Sequence, residues 1–125
     1  MKIEAALSTK PEARSAAMEA SLQAARGLGE REPDLAIVFA SAHFAPQAEA
    51  IVDAVHEAAA PQALAGCVAE GVVGTGKEVE EQPAVSVWLA SLDTRVRTFH
   101  CQFSQIDGHA AFSGWPEGPA GAYLL

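Results

Sequence analysis

The hydrophobic pattern along the chain switches repeatedly between strand and helix periods. Ile3 to Ser8 is a short apolar run of strand length, and it leads into Thr9-Lys10-Pro11-Glu12, a Thr-x-x-Glu capping box with a proline in the first turn. From Glu12 to Arg26 the polar residues Glu12, Ser15, Glu19, Gln23 and Arg26 recur at helical spacing, with Ala, Met or Leu around most of the remaining circumference. This predicts a helix packed on most sides. After Gly27 and Gly29, Asp34 to Ser41 is a continuous apolar run, the pattern of a central strand covered on both faces by the flanking helices. Pro46 opens a second helix, in which Ala48, Ile51, Val52, Val55, Ala58 and Ala59 face inward and Glu49, Asp53, His56 and Glu57 lie opposite.

Pro61 stops that helix, and Ala63 to Val73 reads as a third strand interrupted by Gly66 and Gly71. Two β-rich stretches follow, Ala84 to Leu92 and Val96 to Phe103, which the polar turn at Asp93-Thr94 would join as an antiparallel hairpin. The order β-α-β-α-β-β-β predicts an α/β or α+β fold, with a mixed sheet of about five to six strands and two main helices. Residues 1–103 are expected to form this domain. Residues 104–121, rich in Gly and Pro, read as a loop, and 122–125 as the start of a further strand, truncated.

Composition narrows the classes of function. Half of the 125 residues are hydrophobic, enough for a core without disulfides or metals, and no run approaches the length of a membrane span. The balance of 8 basic against 16 acidic side chains gives a net charge of −8, which repels phosphate backbones and anionic lipid. Nucleic acid and membrane are therefore not expected partners. Cys67 and Cys101 match no zinc spacing and are too few for a secreted disulfide scaffold, so reduced thiols and a cytoplasmic location are expected.

Gly71 to Lys77, Gly-Val-Val-Gly-Thr-Gly-Lys, approaches the phosphate-loop pattern, but Glu78 stands where a Ser or Thr should hold magnesium, and Glu80 and Glu81 would repel phosphates. No helix start follows, and no nucleotide or other cofactor is expected. Cys67 lies in an apolar run, and none of His43, His56, His100 and His109 carries a local signature of its base, so no catalytic residue or metal ligand is assigned. His43 lies just past the end of the central strand, where open α/β sheets bind ligands.

The blocks Asp34 to Ser41, Ala65-Gly66-Cys67-Val68-Ala69-Glu70-Gly71-Val72-Val73 and Glu78-Val79-Glu80-Glu81-Gln82-Pro83-Ala84-Val85-Ser86-Val87 resemble, in order and separation, the FIST N-terminal domain. The resemblance implies an intracellular sensory module that binds a small polar ligand such as an amino acid without converting it. It also implies that a complete module includes a C-terminal FIST domain, absent from this chain, so that the domain is expected to be incomplete. Gly66 and Gly71 bracket a strand segment that forgoes packing, through either a bulge or the close approach of a ligand to the main chain. With the resemblance centred there, Gly66, Cys67, Glu70 and Gly71, together with His43, are the expected ligand-binding residues. The alternatives are a protein–protein adaptor surface and a cysteine-dependent enzyme built on Cys67.

Overall fold

The computed structural model describes residues 1–118 and 121–122. The chain runs β1 (Lys2–Ser8), α1 (Ala13–Leu28), β2 (Leu35–Ser41), a 3-10 turn (Ala42–Gln47), α2 (Ala48–Ala59), β3 (Ala63–Ala69), β4 (Val72–Gly74), β5 (Lys77–Val79), β6 (Val85–Ser91), β7 (Gln102–Ile106) and β8 (His109–Ser113). Four strands form a mixed sheet in the order β1-β6-β2-β3, while β4-β5 and β7-β8 are separate two-stranded ribbons. The fold is thus α/β with two main helices, as the apolar periods predict.

Helix α1 begins three residues later than the capping-box reading implies. Glu12, not Thr9, is its N-cap, and its carboxylate accepts from the backbone N–H groups of Arg14 and Ser15 at 3.0 and 2.7 Å. The small residues Ala13, Ala16, Ala17, Ala20 and Ala24 are buried against the sheet and α2, where missing side-chain bulk permits close approach. Helix α2 ends at Ala60, which takes the left-handed conformation (φ 45°, ψ 50°) before Pro61. Pro46 belongs to the preceding 3-10 turn rather than to the start of α2.

The expectation of helices on both sides of β2 is corrected by the topology. Strand β2 is parallel to β3, and both β1 and β2 are antiparallel to β6, so β1 and β2 point the same way. The crossovers β1-α1-β2 and β2-α2-β3 advance across the sheet in one direction, and two right-handed crossovers that do not reverse put their helices on the same face. Ala36, Val38 and Ala40 of β2, with Val85, Val87 and Leu89 of β6 and Ala6 of β1, accordingly form the core against α1 and α2. The opposite face carries Leu35, Ile37 and Phe39 from β2 and Trp88 from β6, and Phe39 and Trp88 keep 40 % of their surface exposed.

The expected hairpin of Ala84–Leu92 with Val96–Phe103 does not form. Strand β6 is inserted between β1 and β2, so both of its edges are already paired and none is left for the segment that follows. Residues 92–101 instead run without strand structure, and the next strand starts at Gln102. Within the stretch expected to be a loop, β7 and β8 pair through a two-residue turn, Asp107-Gly108, with φ of 49° and 78°. The strand expected over 122–125 lies mostly outside the described residues. Among the described residues, no helix is long and apolar enough to cross a membrane.

Candidate functional site

The face of the sheet opposite the helices is covered in two places. At one end the β4-β5 ribbon lies over β1 and β6: a Cβ placed on Gly74 would stand 2.7 Å from the Ser86 Oγ and 3.2 Å from the Leu7 Cβ. The turn of this ribbon is Thr75-Gly76, at φ 51° and 73°, and the Thr75 hydroxyl donates to the Ala5 carbonyl at 3.3 Å. The Gly-Thr-Gly-Lys segment that approaches a phosphate loop is therefore a β-hairpin turn followed by a strand.

At the other end the chain leaves β6 and folds back over β2 and β3. The Asp34 carboxylate fixes this exit, accepting from the Leu92 N–H at 2.6 Å and from the Gln62 amide at 3.0 Å. Between the sheet and the returning chain lies a cavity of about 750 Å³. Leu35, Ile37 and Ala65 form its apolar floor; Arg95, Arg97 and Phe99 come from one covering segment and Glu117 from another. The covering segments meet at the base of the β7-β8 ribbon, where Phe99 and Trp115 pack edge to face with centroids 5.8 Å apart. A Cβ on Gly114 would stand 2.1 Å from the His100 carbonyl oxygen, so only glycine allows that approach.

The electrostatics single out this cavity. Two arginines and one glutamate, all exposed, are among its lining residues in a chain whose net charge is −8, and none of the three enters an ion pair among the described residues. In the groove along α1 and α2, by comparison, four of the five lining charges are matched with one another, Lys10 with Glu19 at 3.2 Å and Arg14 with Glu57, and Arg26 enters no ion pair among the described residues. Hydrogen bonding from Ser8 and then Lys10 holds the Glu19 carboxyl below its ordinary pKa.

The five residues expected to bind ligand divide between two faces and one end of the sheet. Cys67 lies on β3, exposed, two residues beyond the cavity-lining Ala65 and on the same face. Gly66 points to the helix side, where a Cβ would stand 2.1 Å from the Val38 carbonyl oxygen, so the tight pairing of β2 with β3 is sufficient reason for a glycine there. Glu70 and Gly71 follow the carboxyl end of β3, and His43 follows that of β2 in the 3-10 turn, all three exposed. None of the five lines the cavity. No histidine or carboxylate hydrogen-bonds Cys67 among the described residues, and no group of three His, Cys, Asp or Glu among them could hold a metal.

The cavity residues escape sequence reading because the charged groups come from a stretch that reads as a hairpin strand but runs without strand structure. Leu35, Ile37 and Ala65 read as strand core, while Arg97 falls in the expected strand Val96 to Phe103 and Arg95 between that strand and the turn before it. The usable signal was two arginines of alternate register in a strongly acidic chain.

The FIST N domain family model matches residues 34–115. An uncharacterised protein of Mycobacterium tuberculosis is 39% identical over 115 residues, and one of Mycobacterium bovis is 36% identical over 115. Each alignment covers 92% of this chain and 30% of the relative, so the chain spans under a third of the length of the curated relatives it matches. No solved structure gives a significant match.

Proposed function

Because the chain belongs to the FIST N domain family, a family of sensory domains in signal transduction, we propose that it is a non-catalytic sensory module that binds a small zwitterion such as an α-amino acid in the cavity between the sheet and residues 92–101. One observation carries this reading: Arg95, Arg97 and Glu117, with no ion pair among the described residues, share that cavity with an apolar floor. The guanidinium groups would receive the carboxylate and Glu117 the ammonium, while Leu35, Ile37 and Phe99 would accommodate an apolar side chain. Exposed Cys67 and half-buried Cys101, both free thiols, suit a reducing, intracellular compartment.

The test is a thermal-shift and calorimetric screen with amino acids and with their amides and decarboxylated amines. A true ligand at about 100 times its Kd adds about 2.7 kcal/mol to stability. Arg97→Ala should abolish that gain while leaving the unliganded melting temperature in place. A screen in which no amino acid stabilises the protein, or in which Arg97→Ala binds normally, refutes the assignment.

A second location has its own support, since exposed His43 and Glu70 follow the carboxyl ends of the parallel strands β2 and β3, where ligands of open sheets collect. Glu70→Gln distinguishes the two. With the ligand in the cavity, this variant binds as tightly as the parent.

A further inference from the structure

The charged residues lining the cavity all belong to the two segments that form the legs of the β7-β8 ribbon. Arg95 and Arg97 lie on the segment that runs into Gln102, and Glu117 lies on the segment that leaves Ser113. The legs meet through the Phe99–Trp115 contact and the approach of Gly114, at φ 83°, to the His100 carbonyl oxygen. Arg97 also reaches the second leg, where a Cβ on Gly118 would stand 3.8 Å from its Nη2. Beyond this base little holds the ribbon together. Its strands are exposed along nearly their whole length, and Phe103 and Phe112, which pair across it with centroids 5.2 Å apart, keep 60 and 72 % of their surface. A two-stranded ribbon with so little buried is only marginally stable in water.

We propose that ligand binding and ribbon formation are coupled in this chain: a zwitterion held by the arginines of one leg and Glu117 of the other clamps the base, and the β7-β8 ribbon closes in response. The inference rests on the ligand reading above and gives it a responding element. A ligand that spans both legs is fully engaged only when they lie side by side, the arrangement that the paired strands enforce. It therefore has different affinities for the formed and the open ribbon, which is the condition for shifting one into the other. Linkage makes the coupling reciprocal, so a change that loosens the ribbon weakens binding even at a residue that does not touch the cavity. The β4-β5 ribbon lies over the other end of the sheet and supplies none of the cavity's lining residues, so its own stability does not enter.

Two glycines provide a matched test. Gly108 in the β7-β8 turn and Gly76 in the β4-β5 turn have φ of 78° and 73°, and a Cβ on either meets nothing within 4 Å. Alanine at each position imposes similar left-handed strain without a clash, disfavouring its turn by roughly tenfold. A ribbon near balance then falls from about one molecule in two to about one in eleven, which raises the apparent Kd about fivefold. Calorimetric titration of the 125-residue chain with L-leucine should accordingly show about fivefold weaker binding in Gly108→Ala and parent affinity in Gly76→Ala. In the parent, L-leucine should slow hydrogen exchange of the amides of residues 102–113. Unchanged affinity in Gly108→Ala, an equal loss in Gly76→Ala, or ribbon amides that L-leucine leaves unprotected would overturn the coupling while leaving the ligand reading in place. If neither L-leucine nor any other amino acid of the screen binds, both fall together.

Discussion

Adding one methyl group at Gly66 should be among the most damaging small changes available to this protein. In Gly66→Ala the new Cβ would stand 2.1 Å from the Val38 carbonyl oxygen, 3.0 Å from its carbon and 3.2 Å from the Val38 Cβ. Reaching ordinary contact of about 3.4 Å requires a displacement of roughly 1.3 Å, large against the tolerance of a close-packed interior. Strand β2 cannot supply it, because β6 holds it from the other side. Strand β3 must move outward and weaken the hydrogen bonds around Val38. Overpacking costs about 1 to 3 kcal/mol and each weakened bond up to about 1, against which the lower chain entropy of alanine returns less than about 1. The net expectation is a loss of about 2 to 3 kcal/mol. Gly71→Ala is the internal control: its new Cβ meets nothing closer than 3.5 Å, and the backbone is not left-handed, so stability should stay level or rise by about 0.4 to 1 kcal/mol. Urea unfolding of both variants at one protein concentration, with the m-value checked against the parent, gives the comparison. If Gly66→Ala lies within about 0.5 kcal/mol of the parent, the range of ordinary surface changes, the close approach of β2 and β3 is not what requires the glycine.

Two further outcomes follow from the helix ends. Ala60 bears a left-handed conformation that costs an L-residue roughly 1 to 2 kcal/mol, so Ala60→Gly should raise the melting temperature, and a fall would deny the αL cap of α2. Hydrogen bonding from the Ser15 side chain, then from the Ser15 and Arg14 backbone, holds the Glu12 carboxyl below its ordinary value of 4.5. A depressed folded-state pKa contributes stability that is present above the unfolded value and lost as pH falls through the folded one. The melting temperature should therefore decline below pH 4.5, and less steeply in Glu12→Gln; identical acid limbs for the two proteins would remove Glu12 from the cap.

Local periodicity made the first half of the fold legible. The alanine-rich polar stripe of α1, the amphipathic pattern of α2 and the apolar runs at β1, β2 and β6 each stand close to where their spacing puts them. Which face the helices take was not legible, because the continuous apolarity of Leu35 to Ser41 suits a doubly covered strand and a half-exposed one alike; only the direction of strand progression decides. The β7-β8 ribbon is signalled by Asp107-Gly108, the strongest short hairpin signal, but that pair sits in a stretch whose Gly and Pro content otherwise reads as loop. The cavity was out of reach for a different reason. Arg95 and Arg97 meet Leu35 and Ala65 only through the return of the chain over the sheet, which no local pattern encodes. The expected site around Gly66 drew on glycine spacing, and strand pairing explains Gly66 as well as a ligand would.

The late entry of β6 into the sheet also sets the order in which this domain can assemble. Strands β1 and β2 are neighbours of β6 but not of each other, so no native sheet pairing for β1 exists until residues 85–91 have been made. During synthesis β1 and α1 wait with an unpaired edge while most of the chain emerges. Closing the sheet then means inserting Val85 to Ser91 between two strands already spaced by their helices, a non-local step that contact-order arguments make slow. A ribosome pause or a proteolytic cut ahead of Ser91 would open two further edges, one on β1 and one on β2, and with them leave a species far more prone to aggregate than the finished domain.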